Sequence, residues 1–480
     1  MRAWRVAVPL LAGAAIALTP APYGLATQAW YYFAVFIAVI LGLITEPLPA
    51  AAVGWIGLTF AAVSALPFTA AQRADPGFHL PAEALKWALA GYTNPTVWLI
   101  FGALVASMGY EKTGLGRRLA LFLVTHLGRR TLGLGYAVAL ADLALAPLTP
   151  SNSARSAGTI YPIIRNIPEL YGSRPGPTAR RLGAYLMWVA FATTSVTSSM
   201  FLTGLAPNLL ASGMVKAATG IEISWTQWLT GFLPVGALLL LALPYVVYRI
   251  YPPEIRASDD VCSWASAELR QMGAFSGREF VMALLGISAL TLWIFGSSLI
   301  DPAMVALVII SVTLAARIVE WDEVLANGPA WNVLAWFATL VVLADGLNKV
   351  GFVGWFGKAA GAHLAGAPPM VVMVALVVLF FLVHYMFASL TAHATAVLPV
   401  VLAIGTQVPA MPLRPFVMLL CYSLGIMGVI TPYATGPAPV YFASGFIERR
   451  DFWRLGLIFG LLYLGALLLI GVPWLMAAGS

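Results

Sequence analysis

Leu, Ala, Val, Phe and Ile recur along this chain in runs of roughly 17–25 residues, the length a helix needs to cross a hydrocarbon core about 30 Å thick. The runs predict spans near 6–21, 28–45, 51–69, 94–110, 182–213, 227–249, 280–298, 302–317, 331–347, 415–440 and 455–476. Two further apolar stretches, 136–164 and 370–407, are interrupted by small and polar residues. Each is left with arms of about 13–17 residues, which read as re-entrant helical hairpins rather than full crossings. The pattern predicts an all-α polytopic membrane protein with about 11 transmembrane helices and two re-entrant hairpins.

Composition agrees. Of 480 residues, 61% are hydrophobic and 9% charged, against about 25% charged in an ordinary soluble domain. The net charge of +7 comes without the basic stripe and interleaved aromatics that nucleic acid would need. With the N-terminus inside, 19 Lys and Arg residues fall on the cytoplasmic side, Arg2 and Arg5 among them. Six fall outside: Arg73, Lys86, Lys216, Lys349, Lys358 and Arg414. This bias obeys the positive-inside rule, and eleven crossings then put the C-terminus outside. The segment from Met1 to Arg5 and the apolar run after it resemble a signal peptide; because more spans follow at once, it reads as an uncleaved first span. Cys262 and Cys421 have no partner at ligand spacing, so neither a disulfide nor a metal site is expected.

The chain also repeats itself. Lys112-Thr-Gly-Leu115 resembles Lys349-Val-Gly-Phe352, Ser151-Asn-Ser-Ala-Arg155 resembles Ser389-Leu-Thr-Ala-His393, and Thr203-Gly-Leu-Ala-Pro207 matches Thr435-Gly-Pro-Ala-Pro439, at offsets of 237, 238 and 232. Asn94-Pro-Thr-Val-Trp98 likewise pairs with the segment from Pro329 to Phe337. In the layout above the first copy enters its hairpin from the cytoplasm and the second from outside. Such inverted repeats place a substrate site at their interface near mid-membrane.

Chemistry collects where the apolar pattern fails. Pro147 and Pro150 cannot sit within a regular helix, and Ser151 or Asn152 is placed to cap the helix that runs towards Pro162. A helix start there offers free N–H donors and partial positive charge to an anion. Thr203 to Asn208, with Pro207, and Thr431 to Pro439, with Thr435 and Gly436, interrupt two long spans with Gly and Pro. Unwound backbone at this depth is tolerated where protein buries it or where it lines a cavity. Asp142, Arg155, His384 and His393 are the ionisable residues of the hairpins. An intramembrane charge is functional or paired: Arg155 either serves an anion or pairs with Asp142 across its hairpin. His393 occupies the repeat position of Arg155, whereas His384 reads as a packing or hydrogen-bonding residue.

No nucleophile elbow, P-loop or HExxH motif is present. No catalytic set and no cofactor are expected, and a gradient-driven carrier fits what is left.

With these segments in view, the chain resembles the divalent anion:sodium symporter family, and within it the exchanger branch of citrate/succinate and tartrate/succinate antiporters and plastid 2-oxoglutarate/malate translocators. The strings that carry the resemblance are Gly109 to Arg118, Leu143 to Pro147, Pro150 to Ile160, Ala388 to His393 and Ile430 to Pro437. It implies a multi-pass homodimer in a bacterial inner membrane whose transport domain moves like an elevator against a scaffold. The implied organisation is scaffold helices in 1–93, a first inverted repeat in 94–249, a loop and scaffold helices in 250–330, and a second inverted repeat in 331–480. It further implies that two Ser-Asn-Thr motifs hold substrate carboxylates. Here they read Ser151-Asn152-Ser153 and Ser389-Leu390-Thr391; Leu390 cannot donate a hydrogen bond, which suits an exchanger better than a sodium-coupled carrier. The substrate set is then Ser151, Asn152, Ser153, Thr203, Pro207, Asn208, Ser389, Thr391, Thr431, Thr435 and Gly436, with Arg155 and His393 as compensating charges and di- or tricarboxylates as partners. A sodium-coupled symporter, an anion channel and an enzyme acting on a carboxylated lipid are the rival readings.

Overall fold

The computed structural model describes residues 3–257, 259–296, 298–363 and 366–478. Arg2, counted above on the inner side, lies outside them. Every element among the described residues is helical, and the chain is an all-α, multi-pass membrane protein. The first helices are α1 (Ala3–Leu18), α2 (Thr27–Thr45), α3 (Ala50–Val63), α4 (Ala70–Ala74) and α5 (Leu80–Leu89). At Asn94 the side chain accepts from the Thr96 N–H and Pro95 takes the first turn, which starts α6 (Pro95–Thr113). After Gly114, in the left-handed region at φ 75°, the chain turns into α7 (Leu115–Leu127).

The first hairpin descends through α8 (Thr131–Leu145) and a 3-10 turn to Leu148, and returns as a π-helical stretch over Ser153–Ile160 that continues into α9 (Tyr161–Ile164). Then come α10 (Gly183–Met200), the first break, α11 (Ala206–Thr219) and α12 (Trp225–Ile250). The next segment carries α13 (Asp259–Gln271), followed by α14 (Gly277–Phe295), α15 (Pro302–Ala315) and α16 (Trp321–Ala326). Similar elements then recur in the same order: α17 (Gly328–Lys349), α18 (Phe352–His363), a second hairpin of α19 (Pro369–Val383) and α20 (Leu390–Gly405), α21 (Leu413–Ile426), the second break, and α22 (Ala438–Ala443). The chain closes with α23 (Arg449–Ala466) and α24 (Val472–Ala478).

The centre belongs to the two helices that end at the breaks. All of α10 is buried, and α21 is buried from Pro415 onward. They approach closely because Gly425 carries no side chain: a Cβ there would lie 2.3 Å from Ser199 Oγ. Ser199 Oγ instead accepts from the Ile426 N–H at 3.0 Å and donates to Tyr422 O at 2.7 Å.

Lengths differ from the eleven expected spans. Among the described residues seven helices are long and apolar enough to cross a membrane, or eight if Leu80–Thr93 and Pro95–Thr113, bent by 43°, count as one. Spans expected near 6–21, 51–69 and 302–317 stop at 16, 14 and 14 residues, while 182–213 and 415–440 are each cut by a break. The descending hairpin arms, with their 3-10 turns, reach 18 residues each, longer than expected. Helices α7, α13 and α18 lie outside the expected spans and hairpins.

Candidate functional site

The tip of the first hairpin sits where both breaks meet. On one side, Thr203 Oγ1 donates to Pro147 O at 2.6 Å, the Ala206 N–H donates to Pro150 O at 2.8 Å, and Arg155 Nη1 donates to Gly204 O at 2.9 Å. On the other, Asn152 Nδ2 donates to Thr435 Oγ1 at 2.7 Å. The next residue of that break is Gly436, and a Cβ there would stand 1.9 Å from Ser153 Oγ and push that hydroxyl aside. Asn152, Ser153, Thr435 and Gly436, expected as site residues from opposite ends of the sequence, are thus brought together.

The two tips are capped alike. Ser151 Oγ accepts from the Ala154 N–H at 3.2 Å, and Ser389 Oγ accepts from the Ala392 N–H at 3.3 Å. The Arg155 N–H bonds Ser151 O and the His393 N–H bonds Ser389 O, both at 3.0 Å. Ser151, Ser153, Ser389 and Thr391 stay partly open, whereas Leu390 is buried. Among the described residues no hydrogen bond joins the second tip to the first; its ascending arm, α20, packs along α11, the helix after the first break.

Arg155 is fully buried, and protein oxygens take all five of its N–H donors. Nε meets Asp142 Oδ2 at 3.3 Å, Nη1 donates to Thr149 O and Gly204 O at 2.9 Å each, and Nη2 donates to Ser198 Oγ at 3.0 Å and towards Thr194 and Thr197. Thr197 Oγ1 donates to the same Asp142 oxygen. The expectation of Arg155 as a free compensating cation is therefore revised: Asp142 neutralises it, and it has no donor left for a ligand. It holds the hairpin tip on the first break.

His393 differs again. It lies buried among Phe380, Phe387 and His384, with ring centroids at 4.4, 5.1 and 5.1 Å, and among the described residues neither ring nitrogen has a hydrogen-bond partner. Phe380 and His393 stand 238 residues after Asp142 and Arg155, so an ion pair in one half is an aromatic contact in the other. His393 is not a second Arg155. His384 is a hydrogen-bonding residue, as expected: its Nε2 lies 2.9 Å from Ala434 O.

Three expected site residues do structural work. Asn208 Nδ2 donates to Ser198 O at 2.7 Å and Phe201 O at 3.1 Å, carbonyls where α10 ends, and Pro207 is buried in the first turn of α11. Thr431 is buried and accepts within its own turn from the Tyr433 N–H at 3.4 Å. Sequence reasoning missed the α10 side of the Arg155 cage and the contact of Ser156 Oγ with Tyr441 Oη at 2.9 Å. The signal for the first was present: six of the seven residues from Thr193 to Ser199 bear hydroxyls.

Beside the first break a cavity of about 960 Å³ opens among α6, α11, α12 and α17, lined by Asn94, Thr96, Thr203, Ser212, Trp225 and Asp345. Of the expected site residues, Thr203 faces it.

Comparisons with known proteins agree with this architecture. The chain is 47% identical over 473 residues to the citrate/succinate antiporter of Escherichia coli K12, covering 98% of this chain and 97% of that one. It is 48% identical over 475 residues to the L-tartrate/succinate antiporter of the same strain, covering 98% of each. Two solved transporters share the fold at low identity: YdaH of Alcanivorax borkumensis, with TM-score 0.53, 16% identity and coverage of 89% and 98%, and MtrF of Neisseria gonorrhoeae, with TM-score 0.57, 13% identity and coverage of 91% and 97%. The match to the family described as the sodium:sulfate symporter transmembrane region runs over residues 1–480, and the chain belongs to that family.

Proposed function

We propose that this protein is a secondary transporter that exchanges one small di- or tricarboxylate for another, succinate against citrate or tartrate being the pairs its relatives' names suggest. The observation that carries the reading is the hydrogen bond between Asn152 and Thr435 at 2.7 Å. Each side chain comes from a broken segment, each is buried, and each can turn a donor to a carboxylate oxygen. Ser151, Ser153, Ser389 and Thr391 add hydroxyls at the tips. Both ascending arms begin there, as α11 begins at the first break, and each such helix start carries about half a positive charge. An anion with two carboxylates fits that field better than a neutral solute does.

The similar order of elements in the two halves supports inverted repeats, with α6–α12 answering α17–α23. In that frame the hairpins and breaks move together as an elevator against scaffold helices in a homodimer. The cytoplasmic side takes the N-terminus, the outer side takes the C-terminus, and the cavity at Thr203 and Ser212 opens outward.

Exchange without sodium is supported by the Arg155 cage. Two carbonyls and three hydroxyls gathered at mid-membrane form an oxygen-rich setting that would suit a small cation, and here a guanidinium fills it. The guanidinium stays with the protein, paired with Asp142, so this cage needs no sodium ion to fill it. Uptake of labelled succinate by proteoliposomes, with internal dicarboxylate and external sodium varied separately, tests the reading.

A further inference from the structure

We infer that His384 is a positioning residue of the substrate site, acting across the repeats on the tip of the first hairpin. The inference rests on the site proposed above at Asn152 and Thr435.

Ala434 O can only accept, so Nε2 of His384 carries the hydrogen in the 2.9 Å contact between them. A second tie lies beside it, since Tyr433 Oη donates to Tyr385 O at 3.0 Å. The second break is therefore fixed to the second hairpin through Tyr433 and Ala434. The two residues that follow, Thr435 and Gly436, meet Asn152 and Ser153 of the first hairpin. One short segment of backbone thus registers both hairpins: His384 sets Ala434, Ala434 sets Thr435, and Thr435 sets the amide of Asn152.

The first half has a matching device. Arg155 Nη1 donates to Gly204 O of the first break, as His384 Nε2 donates to Ala434 O of the second. In one half an ion-paired guanidinium performs this, and in the other an imidazole with no carboxylate partner. His384 is fully buried, and among the described residues its remaining nitrogen, Nδ1, has no hydrogen-bond partner. The ring's one hydrogen bond is the one that holds the break.

Losing this donor leaves Ala434 O unpaired and frees Thr435 to drift from Asn152, which weakens binding rather than movement. The test compares the concentration dependence of labelled-succinate exchange in wild type, Asn152→Ala, His384→Phe, His384→Gln and the double variant Asn152→Ala/His384→Phe. His384→Phe keeps the ring and drops the donor, so KM should rise about 5- to 30-fold, with the maximal rate changed less than about threefold. His384→Gln restores an N–H and should bring KM back to within about threefold of wild type. The double variant should cost much less than the product of the single effects, because both act through Thr435. A normal KM in His384→Phe alongside a raised KM in Asn152→Ala overturns the inference and leaves the site intact; a normal KM in both overturns both. If His384→Phe fails to reach the membrane, His384→Leu, which also lacks the donor, decides: a KM raised about 5- to 30-fold supports the role, and a normal KM refutes it.

Discussion

Arg155 Nη1 donates to the backbone oxygen of Gly204 at 2.9 Å, so the guanidinium of the first hairpin is anchored in the first break of the chain. Because Asp142 stands beside it, the charge is held as a pair. Arg155→Ala leaves Asp142 as an unpaired buried carboxylate, a defect of about 3–5 kcal/mol. The melting temperature in detergent should fall sharply. Adding Asp142→Asn removes the stranded charge and should recover a substantial part of the loss. A double variant less stable than Arg155→Ala alone would contradict the pairing.

Asn152 and Thr435 satisfy each other at 2.7 Å. Asn152→Ala should weaken carboxylate binding by about 1–3 kcal/mol, roughly 5- to 150-fold in affinity. Unchanged affinity in folded protein would remove Asn152 from the site. Competition assays should follow the same logic: dicarboxylates compete, and monocarboxylates, amino acids and neutral sugars compete poorly.

Gly436 tests the packing of tip against break. Gly436→Ala puts a methyl group onto Ser153 Oγ, an overpacking of about 1–3 kcal/mol, and should lower exchange roughly tenfold. Ser153→Ala in the same chain opens room and should restore part of it. Full activity of Gly436→Ala would show that the tip and the break do not stay in contact through the cycle.

Hairpins and breaks were legible in the sequence because Pro, Gly and hydroxyl residues stand out against an apolar background. Helices α7, α13 and α18 were not, since Arg117, Arg118, Glu268 and Lys358 interrupt the apolar runs that mark a span. Arg117 Nη2 in fact meets Glu268 Oε2 at 2.6 Å, and Arg118 Nε meets Glu279 Oε1 at 2.5 Å, so these charges brace one another. Likeness between Arg155 and His393 in the sequence was misleading as chemistry, because Phe380 stands beside His393 where Asp142 stands beside Arg155. The partners of Arg155 and His384 in the breaks are backbone oxygens, Gly204 O and Ala434 O, which leave no mark in a sequence.

Orientation is open to direct labelling. In a chain with Cys262 and Cys421 replaced by Ser, a cysteine at Ser212, in the cavity beside the first break, should react with an impermeant maleimide added to intact cells. A cysteine at the exposed Arg129, just before α8, should react once the inner face is opened. The reverse pattern would invert the topology.

Coupling is the central claim, and uptake of labelled succinate into proteoliposomes measures it most directly. Obligatory exchange predicts fast uptake when the lumen holds an unlabelled dicarboxylate, near-background uptake when it is empty, and no dependence on external sodium. Robust sodium-driven accumulation in empty vesicles would contradict it and make the protein a symporter.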